Sequence, residues 1–406
     1  VAHDLRTPPP DTALVVTAPG WRPDAPVLAA AARAGIEVIG DVELAWRLCA
    51  ERAEPPVWLA VTGTNGKTTT VAMLTAILRA AGVNAVACGN IGLPVVEAVA
   101  AGYPVLAVEL SSFQLYWAPS VRPAAGVLLN LAEDHLDWHG DMDAYAAAKA
   151  RVLTGDVAIA GVDDEVVAAL LADSPAKRRI GIRLGEPGSD EFGIVDGMLV
   201  DRAFADGEPL AAVADVRPPG PSGVFDALAA AALARVHGVP ADAVAAGLLA
   251  FEPSAHRAAA VAEIDGVRYV DDSKATNPHA AAASLRTHPR VVWIAGGLLK
   301  GARVDDLVTD VAERLAGVVL IGADREVIAT ALARHAPDVP VRRVSGGDDG
   351  SMSVMGSAVK AARAMARPGD VVLLAPAAAS QDMFTDYRQR GRAFADAVAA
   401  LVPETG

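Results

Sequence analysis

Residues 61–70 read V-T-G-T-N-G-K-T-T-T, and no other stretch restricts the possible folds of this chain so strongly. An apolar run, residues 57–61, precedes it, and an Ala- and Leu-rich segment with helical spacing, residues 71–81, follows. Strand, glycine turn and helix in that order are the setting in which a G-K-[ST] loop holds phosphate. Gly63 and Gly66 let backbone N–H groups curl round an anion. The helix that opens there points its positive end at the same spot. Lys67 supplies a point charge for terminal phosphates, and Thr68 a hydroxyl for Mg²⁺. Only Thr64 and Asn65 separate the glycines, a shorter spacing than the usual phosphate loop has. A plain corner would need one glycine but not the Lys67–Thr68 pair, so the expectation is a nucleoside-triphosphate site.

At 406 residues the chain is too long for one core, and two or three domains are expected. Its apolar residues are mostly Ala, Val and Leu, with only 4% aromatics, the balance of Val-rich buried strands under Ala-rich helices. The formal net charge of -14 repels nucleic acid and anionic lipid, so neither is expected as a partner. Cys49 and Cys88 offer no disulfide framework or zinc site and read as small core hydrophobes. With no apolar run of membrane-spanning length and no signal peptide in view, a cytoplasmic protein without membrane insertion is expected.

Pattern divides the chain into residues 1–54, 55–252 and 253–406. The first part holds strands near 13–17 and 36–39 with helices near 26–34 and from 41, and Pro55-Pro56 reads as a linker. In the second, strands near 57–61, 105–109, 126–130 and 157–160 alternate with helices, as in a mostly parallel covered sheet. Residues 181–216 are polar and glycine-rich and read as a small antiparallel excursion, and a helix over 224–236 closes the part. The third part alternates helices with strands near 268–270, 290–295, 318–321, 341–344 and 371–375. Residues 345–351 read as a surface turn, and no internal repeat is present. The fold class is α/β throughout. Two strands and two helices cannot bury both faces of a parallel sheet, so the first part is expected to lack a βαβ unit of about 30 residues.

Glu109 ends an apolar strand, where a carboxylate beside a phosphate-loop strand can bind the nucleotide's Mg²⁺. Taken alone it would more often be a solvated strand-end acid; Lys67 upstream tips the balance. The run N-L-A-E-D-H-L-D, residues 130–137, follows another strand at the same sheet edge. His135 is equally readable as a structural histidine, and Asp134 as a helix cap. Lys149 lies four residues after Tyr145 on one helix face, and spacing alone reads it as a solvated lysine. Further on, His256-Arg257 precedes a strand and D-D-S-K-A-T-N, residues 271–277, follows one; these groups suit a nucleotide's sugar and phosphates. Gly296-Gly297 and Lys300 read equally as a turn and a solvated charge. Residues 375–391 join a strand to a helix, where Ser380 caps either a bound carboxylate or the helix itself.

In this order, T-G-T-N-G-K-T-T (62–69), G-N-I-G (89–92), V-E-L-S-S-F-Q-L (108–115), residues 130–137, residues 271–277 and the segment 380–391 resemble the Mur ligases. Those are ATP-dependent amide-forming enzymes of peptidoglycan precursor synthesis, and the likeness runs from about Ala13 to the last helix. It implies three domains: an N-terminal Rossmann-like domain, here incomplete, a central P-loop parallel sheet and a Rossmann-like C-terminal domain. It implies joining of D-glutamate to UDP-N-acetylmuramoyl-L-alanine through an acyl phosphate and a tetrahedral intermediate. By the same resemblance Gly63, Thr64, Asn65, Gly66, Lys67, Thr68 and Thr69 bind ATP. Thr68 and Glu109 hold a first Mg²⁺, and His135 and Lys149 a second. The family's counterpart of Lys149 is carbamylated, which replaces a repelling ammonium with a hard anionic oxygen ligand. Lys67, Glu109, His135 and Lys149 are thus the implied catalytic set. Arg257 and Lys274 approach the phosphates and Asp272 the ribose. Asn90 and Ser111 meet the muramoyl-alanine substrate, while Thr276, Lys300, Ser380 and Tyr387 receive D-glutamate. The implied partners are small molecules only, and the enzyme a monomer.

The chain also departs from the family. Residues 220–226, G-P-S-G-V-F-D, stand where a G-x-H-N-x-x-N run often touches adenine, and G-G-L-L-K, residues 296–300, loses the acid of G-G-D-G-K. Tyr387 replaces an aromatic that commonly lacks a hydroxyl. The glycine turn that opens the family's uridine domain is missing, which leaves Ala18-Pro19-Gly20 as the uridine-contact motif.

Overall fold

The computed structural model describes residues 5–253, 255–344 and 354–401; the turn read at 345–351 lies outside them. The chain divides into two compact units, Val1–Glu252 and Pro253–Gly406.

The first unit begins with β1 (Leu14–Thr17) and β2 (Glu37–Gly40), a two-stranded parallel sheet with Leu14 opposite Glu37. The connecting helix Pro26–Arg33 has proline in its first turn, where a missing N–H breaks no helical bond. A larger sheet follows, built from β3 (Val57–Thr62), β4 (Ala85–Gly89), β5 (Val105–Glu109), β6 (Ala125–Leu128) and β7 (Val157–Gly161), with β8 (Arg178–Ile182), β9 (Glu191–Val195), β10 (Met198–Asp201) and β11 (Glu208–Ala212). Its order is β11-β10-β9-β8-β7-β6-β3-β5-β4. Neighbours run parallel from β4 across to β9, and β9, β10 and β11 form an antiparallel meander. The meander is the excursion expected over 181–216. Strand β4 was not expected, since its A-V-A-C-G run carries little β-branched or alternating signal.

Every residue of β5 and β6 is buried, as a sheet covered on both faces requires. One face packs under the helices Lys67–Ala80, Pro221–Val236 and Ala241–Ala250 through Leu74, Ile77, Leu228 and Leu248. The other packs Val42 and Ala45 of the helix Asp41–Ala50 with Val99 and Leu115. Helix Ala241–Ala250 meets helix Lys67–Ala80 at Gly247, where a Cβ would stand 2.3 Å from Ile77 Cα.

The second unit holds β12 (Ala259–Ile264), β13 (Val267–Asp271), β14 (Val291–Gly296), β15 (Leu315–Ile321), β16 (Val341–Arg343) and β17 (Val371–Leu374), in the order β12-β13-β17-β14-β15-β16. All pairs are parallel except the β12–β13 hairpin. Strand β12 was also not expected; its A-A-V-A-E-I sequence is mostly alanine, with little β-branched signal, and it lies at a half-exposed edge. Strand alternation sends Trp293 to one layer and Val292 and Ile294 to the other, beside Phe394. Among the described residues no helix is long and apolar enough to cross a membrane.

Candidate active site

In the first unit β6, β3 and β5 are adjacent and parallel, so their carboxyl ends bring together the loop after Thr62, the run after Leu128 and Glu109. Gly63 (φ 159°) and Gly66 (φ 87°) shape the loop, and the helix starts at Lys67. Gly66 has the left-handed backbone that disfavours other residues, and a Cβ there would also strike Asp226 Oδ1 at 2.2 Å. Asn130 clamps the loop: its Oδ1 accepts from Asn65 N at 2.9 Å, and its Nδ2 donates to Asn65 O at 3.2 Å. Thr64 Oγ1 accepts from Ala132 N (2.9 Å) and pairs with the Tyr145 hydroxyl (3.0 Å). Lys67 Nζ donates to Gly63 O and Thr64 O at 2.8 and 2.9 Å, which holds the ammonium on the loop.

Glu109 is buried; its Oε1 accepts from Asn90 Nδ2 at 2.8 Å. Its Oε2 is buried with no hydrogen-bond partner among the described residues. Lys149, expected as a solvated lysine from spacing, is instead sealed inside the unit. Its Nζ donates to Gly63 O at 2.7 Å and lies 4.8 Å from the Tyr145 ring centroid. Burial drives its pKa well below the usual lysine value, and the charge of Lys67 adds to this, against the pull of Asp134 and Glu109. His135 has left-handed backbone (φ 55°) at the start of the short helix Leu136–His139, with its Nε2 3.6 Å from Asp134 Oδ2. Ser111 caps the helix Ser112–Tyr116 in a reciprocal capping box with Gln114.

Two indoles fasten the loop that follows β1. Trp138 Nε1 donates to Gly20 O at 3.1 Å, and Trp117 Nε1 to Trp21 O at 3.2 Å. Arg22 Nη1 donates to Asp137 O at 2.5 Å. A cavity of about 510 Å³ is lined here by Ala18, Gly20, Trp21, Arg22, Asp24 and Ala25, so the A-P-G motif faces a hollow.

In the second unit the expected residues follow the carboxyl ends of β13, β17 and β14, three neighbouring parallel strands. The loop after β13 carries Asp272, Lys274 and Thr276 and ends at Asn277, whose Oδ1 caps the helix Pro278–Arg286. Burial raises the Asp272 carboxyl to about 6. Lys300 is exposed, with left-handed backbone, at the end of a loop fixed by Asp324 Oδ2 accepting from Leu299 N (2.8 Å). Ser380 is buried but caps no helix: the helix Tyr387–Ala399 begins seven residues later and is capped by Asp386. The helix-cap alternative is therefore corrected, because the chain from Ser380 turns first, with Met383 N and Phe384 N donating to Ser380 O. Residues 220–226 likewise start their helix with no side-chain cap, on a proline.

Sequence reasoning missed Arg390. It is fully buried and donates to Ser273 Oγ (3.0 Å), Ser273 O (2.8 Å) and Ala378 O (3.0 Å), joining the loops after β13 and β17. His256 Nδ1 lies 2.6 Å from Asp271 Oδ2 and holds the chain near Arg257 to the end of β13.

A phosphate-shaped loop against a buried acid and a desolvated lysine marks an α/β protein that handles phosphoryl groups. Residues 61–190 match the Mur ligase middle domain, and residues 256–378 the Mur ligase glutamate ligase domain. Among similar proteins, the UDP-N-acetylmuramoylalanine–D-glutamate ligase of Nocardia farcinica is 60% identical over 404 residues, spanning 96% of this chain and 84% of its own. The chain belongs to the Mur ligase family. Solved structures share the fold: a pseudomurein peptide ligase type C from Methanothermus fervidus (TM-score 0.63, 16% identity, 96% of this chain and 87% of that one) and the ADP complex of Mycobacterium tuberculosis folylpolyglutamate synthase (0.60, 18%, 89% and 93%).

Proposed function

We propose that the chain joins D-glutamate to UDP-N-acetylmuramoyl-L-alanine at the cost of ATP, with ADP and phosphate as the other products. The reading is carried by one constellation, the phosphate loop set against the buried Glu109 carboxylate and the desolvated Lys149 amine, in a chain so similar to the Nocardia farcinica ligase. An oxygen of the alanyl carboxylate attacks the γ-phosphorus of ATP, the bond to the bridging oxygen breaks, and ADP leaves. The D-glutamate amine then attacks the acyl phosphate carbon. The tetrahedral intermediate expels phosphate, and the amine gives up its proton.

The protein's part is to position the reactants and neutralise charge. Residues 63–69 and the Lys67 ammonium cradle the phosphates, with the N–H groups of Thr64 and Asn65 already donated to Asn130 to set the loop's shape. Asn130 and Tyr145 hold the loop in shape beforehand. A hard divalent cation fits this donor set, because Glu109 Oε2 is buried without a partner among the described residues, at a strand end next to the loop. Thr68 and Glu109 would hold one Mg²⁺ and His135 with carbamylated Lys149 a second, and the ions would neutralise phosphate charge. A proton-poor amine is the form that adds to carbon dioxide, so the depressed pKa of Lys149 supports its carbamylation. Asn90 and Ser111 contact the muramoyl-alanine substrate, Arg257 and Lys274 the phosphates, and Asp272 the ribose. Thr276, Lys300 and Ser380 receive D-glutamate. Under the same reading residues 1–54, 55–252 and 253–406 are three domains of a cytoplasmic monomer.

Phosphate release should require ATP, UDP-N-acetylmuramoyl-L-alanine and D-glutamate together, and other amino acids should not replace D-glutamate. Lys67→Ala should lower it at least about a hundredfold, ~3 kcal/mol of lost transition-state stabilisation. A variant keeping more than half the rate would remove the phosphate-loop assignment.

A further inference from the structure

Lys274 stands on an aromatic surface. Its Nζ lies 4.1 Å from the ring centroid of Tyr387, well inside the range in which an ammonium is drawn to a ring's negative face. The guanidinium of Arg388 lies 5.5 Å from the same centroid, and the His256 ring meets it edge-on at 6.5 Å. The ring thus has two cations within reach.

The lysine and the ring are also tied through their backbones. Tyr387 is the first residue of its helix, and its carbonyl accepts from Ser273 Oγ at 2.8 Å. Ser273 precedes Lys274 and is gripped by Arg390 through both its hydroxyl and its carbonyl. On the other side Lys274 N donates to His256 O at 3.2 Å. The backbones of ring and lysine are therefore fixed to each other through Ser273. A lysine side chain is otherwise a flexible four-carbon stem whose rotamer freedom must be lost when it meets an anion. A ring fixed beneath the ammonium removes part of that freedom before the anion arrives.

We propose that the Tyr387 side chain is a positioning group that holds the Lys274 ammonium ready for the phosphates of the nucleotide, through its ring and not its hydroxyl. This rests on the reading that Lys274 meets the phosphates.

The test is steady-state phosphate release with ATP and D-glutamate varied in turn, together with calorimetric titration of ADP. Tyr387→Leu should raise the KM for ATP and weaken ADP about three- to tenfold, the loss of one cation–ring contact, with the KM for D-glutamate unchanged. Tyr387→Phe should restore both nucleotide values. Lys274→Met should weaken the nucleotide at least as much, and Tyr387→Leu added to it should cost nothing further. If the leucine variant does not fold, Tyr387→Met serves in its place. A rise confined to the KM for D-glutamate, or a phenylalanine variant as weak as the leucine one, overturns the proposal. So does an unchanged nucleotide affinity in Tyr387→Leu while Lys274→Met is weakened. An unchanged affinity in Lys274→Met removes the phosphate role of Lys274 as well.

Discussion

Lys149 in the phosphate-loop unit and Arg390 in the second unit are both cationic side chains sealed from water, 2% and 0% exposed. Neither donates to a carboxylate in the bonds described: Lys149 donates to the Gly63 carbonyl and, at 3.5 Å, to the Thr62 hydroxyl, and Arg390 to two backbone carbonyls and the Ser273 hydroxyl. The outcomes differ because the groups differ. Burial lowers Arg390 only to about 10, so at neutral pH it keeps its proton and its fork of donors. Lys149 is pushed well down by burial and by Lys67, toward an amine that can react. The same desolvation that leaves an arginine charged pushes a lysine toward its neutral amine.

The largest effect that tests this contrast is on Lys149. Lys149→Met keeps the volume and removes a desolvated amine, so the melting temperature should hold or rise while phosphate release falls at least about a hundredfold. Short carboxylic acids should partly rescue Lys149→Ala by supplying an anionic oxygen. They should not rescue Lys149→Arg, which sets a permanent cation there. An active arginine variant would break the comparison.

Arg390 should answer in stability. Arg390→Met leaves the Ser273 and Ala378 carbonyls without their donor, each at about 1–3 kcal/mol. A fall in unfolding free energy of about 2–5 kcal/mol in urea is expected. A stable Arg390→Met protein would show that the guanidinium is not structural.

The smallest effect belongs to a third, half-buried base. His139 packs against Phe113 and bonds Ser112 Oγ at 2.9 Å. Its pKa falls to about 4, chiefly through burial and then through His135 and Lys149, against Asp137. Its ordinary value is 6.5. Between these pH values the unfolded chain binds the extra proton, so stability is whole above about 6.5 and is lost as pH falls toward 4. His139→Asn should flatten that loss, read from urea midpoints at neutral pH and near pH 4.5. An unaltered pH slope would show that His139 is not held neutral.

How much of this was legible beforehand depends on how local each signal is. The phosphate loop declared itself because glycine, lysine and threonine act within ten residues of one another, after an apolar strand. The alternation of strands and helices was equally local, whereas β4 and β12 lack apolar alternation and went unread. The burial of Lys149 had no local signal: its neighbours are alanines, and the carbonyl it bonds belongs to Gly63, 86 residues away. Arg390 sits in R-Q-R-G, which reads as surface charge, and its partners Ser273 and Ala378 come from two different strand ends. Ser380 was a plausible helix cap until the chain turned before Asp386 took that role.

The notch at Gly247 extends the reach of the phosphate loop beyond its own residues. Ile77 stands ten residues along the same helix from Lys67, about 15 Å at 1.5 Å per residue. Even one methyl group at 247 must push against the Ile77 backbone, and the rigid rod it would displace has Lys67 at its other end. A position with no functional group, on a helix that only covers the sheet, thereby helps to set where the phosphate-loop helix stands.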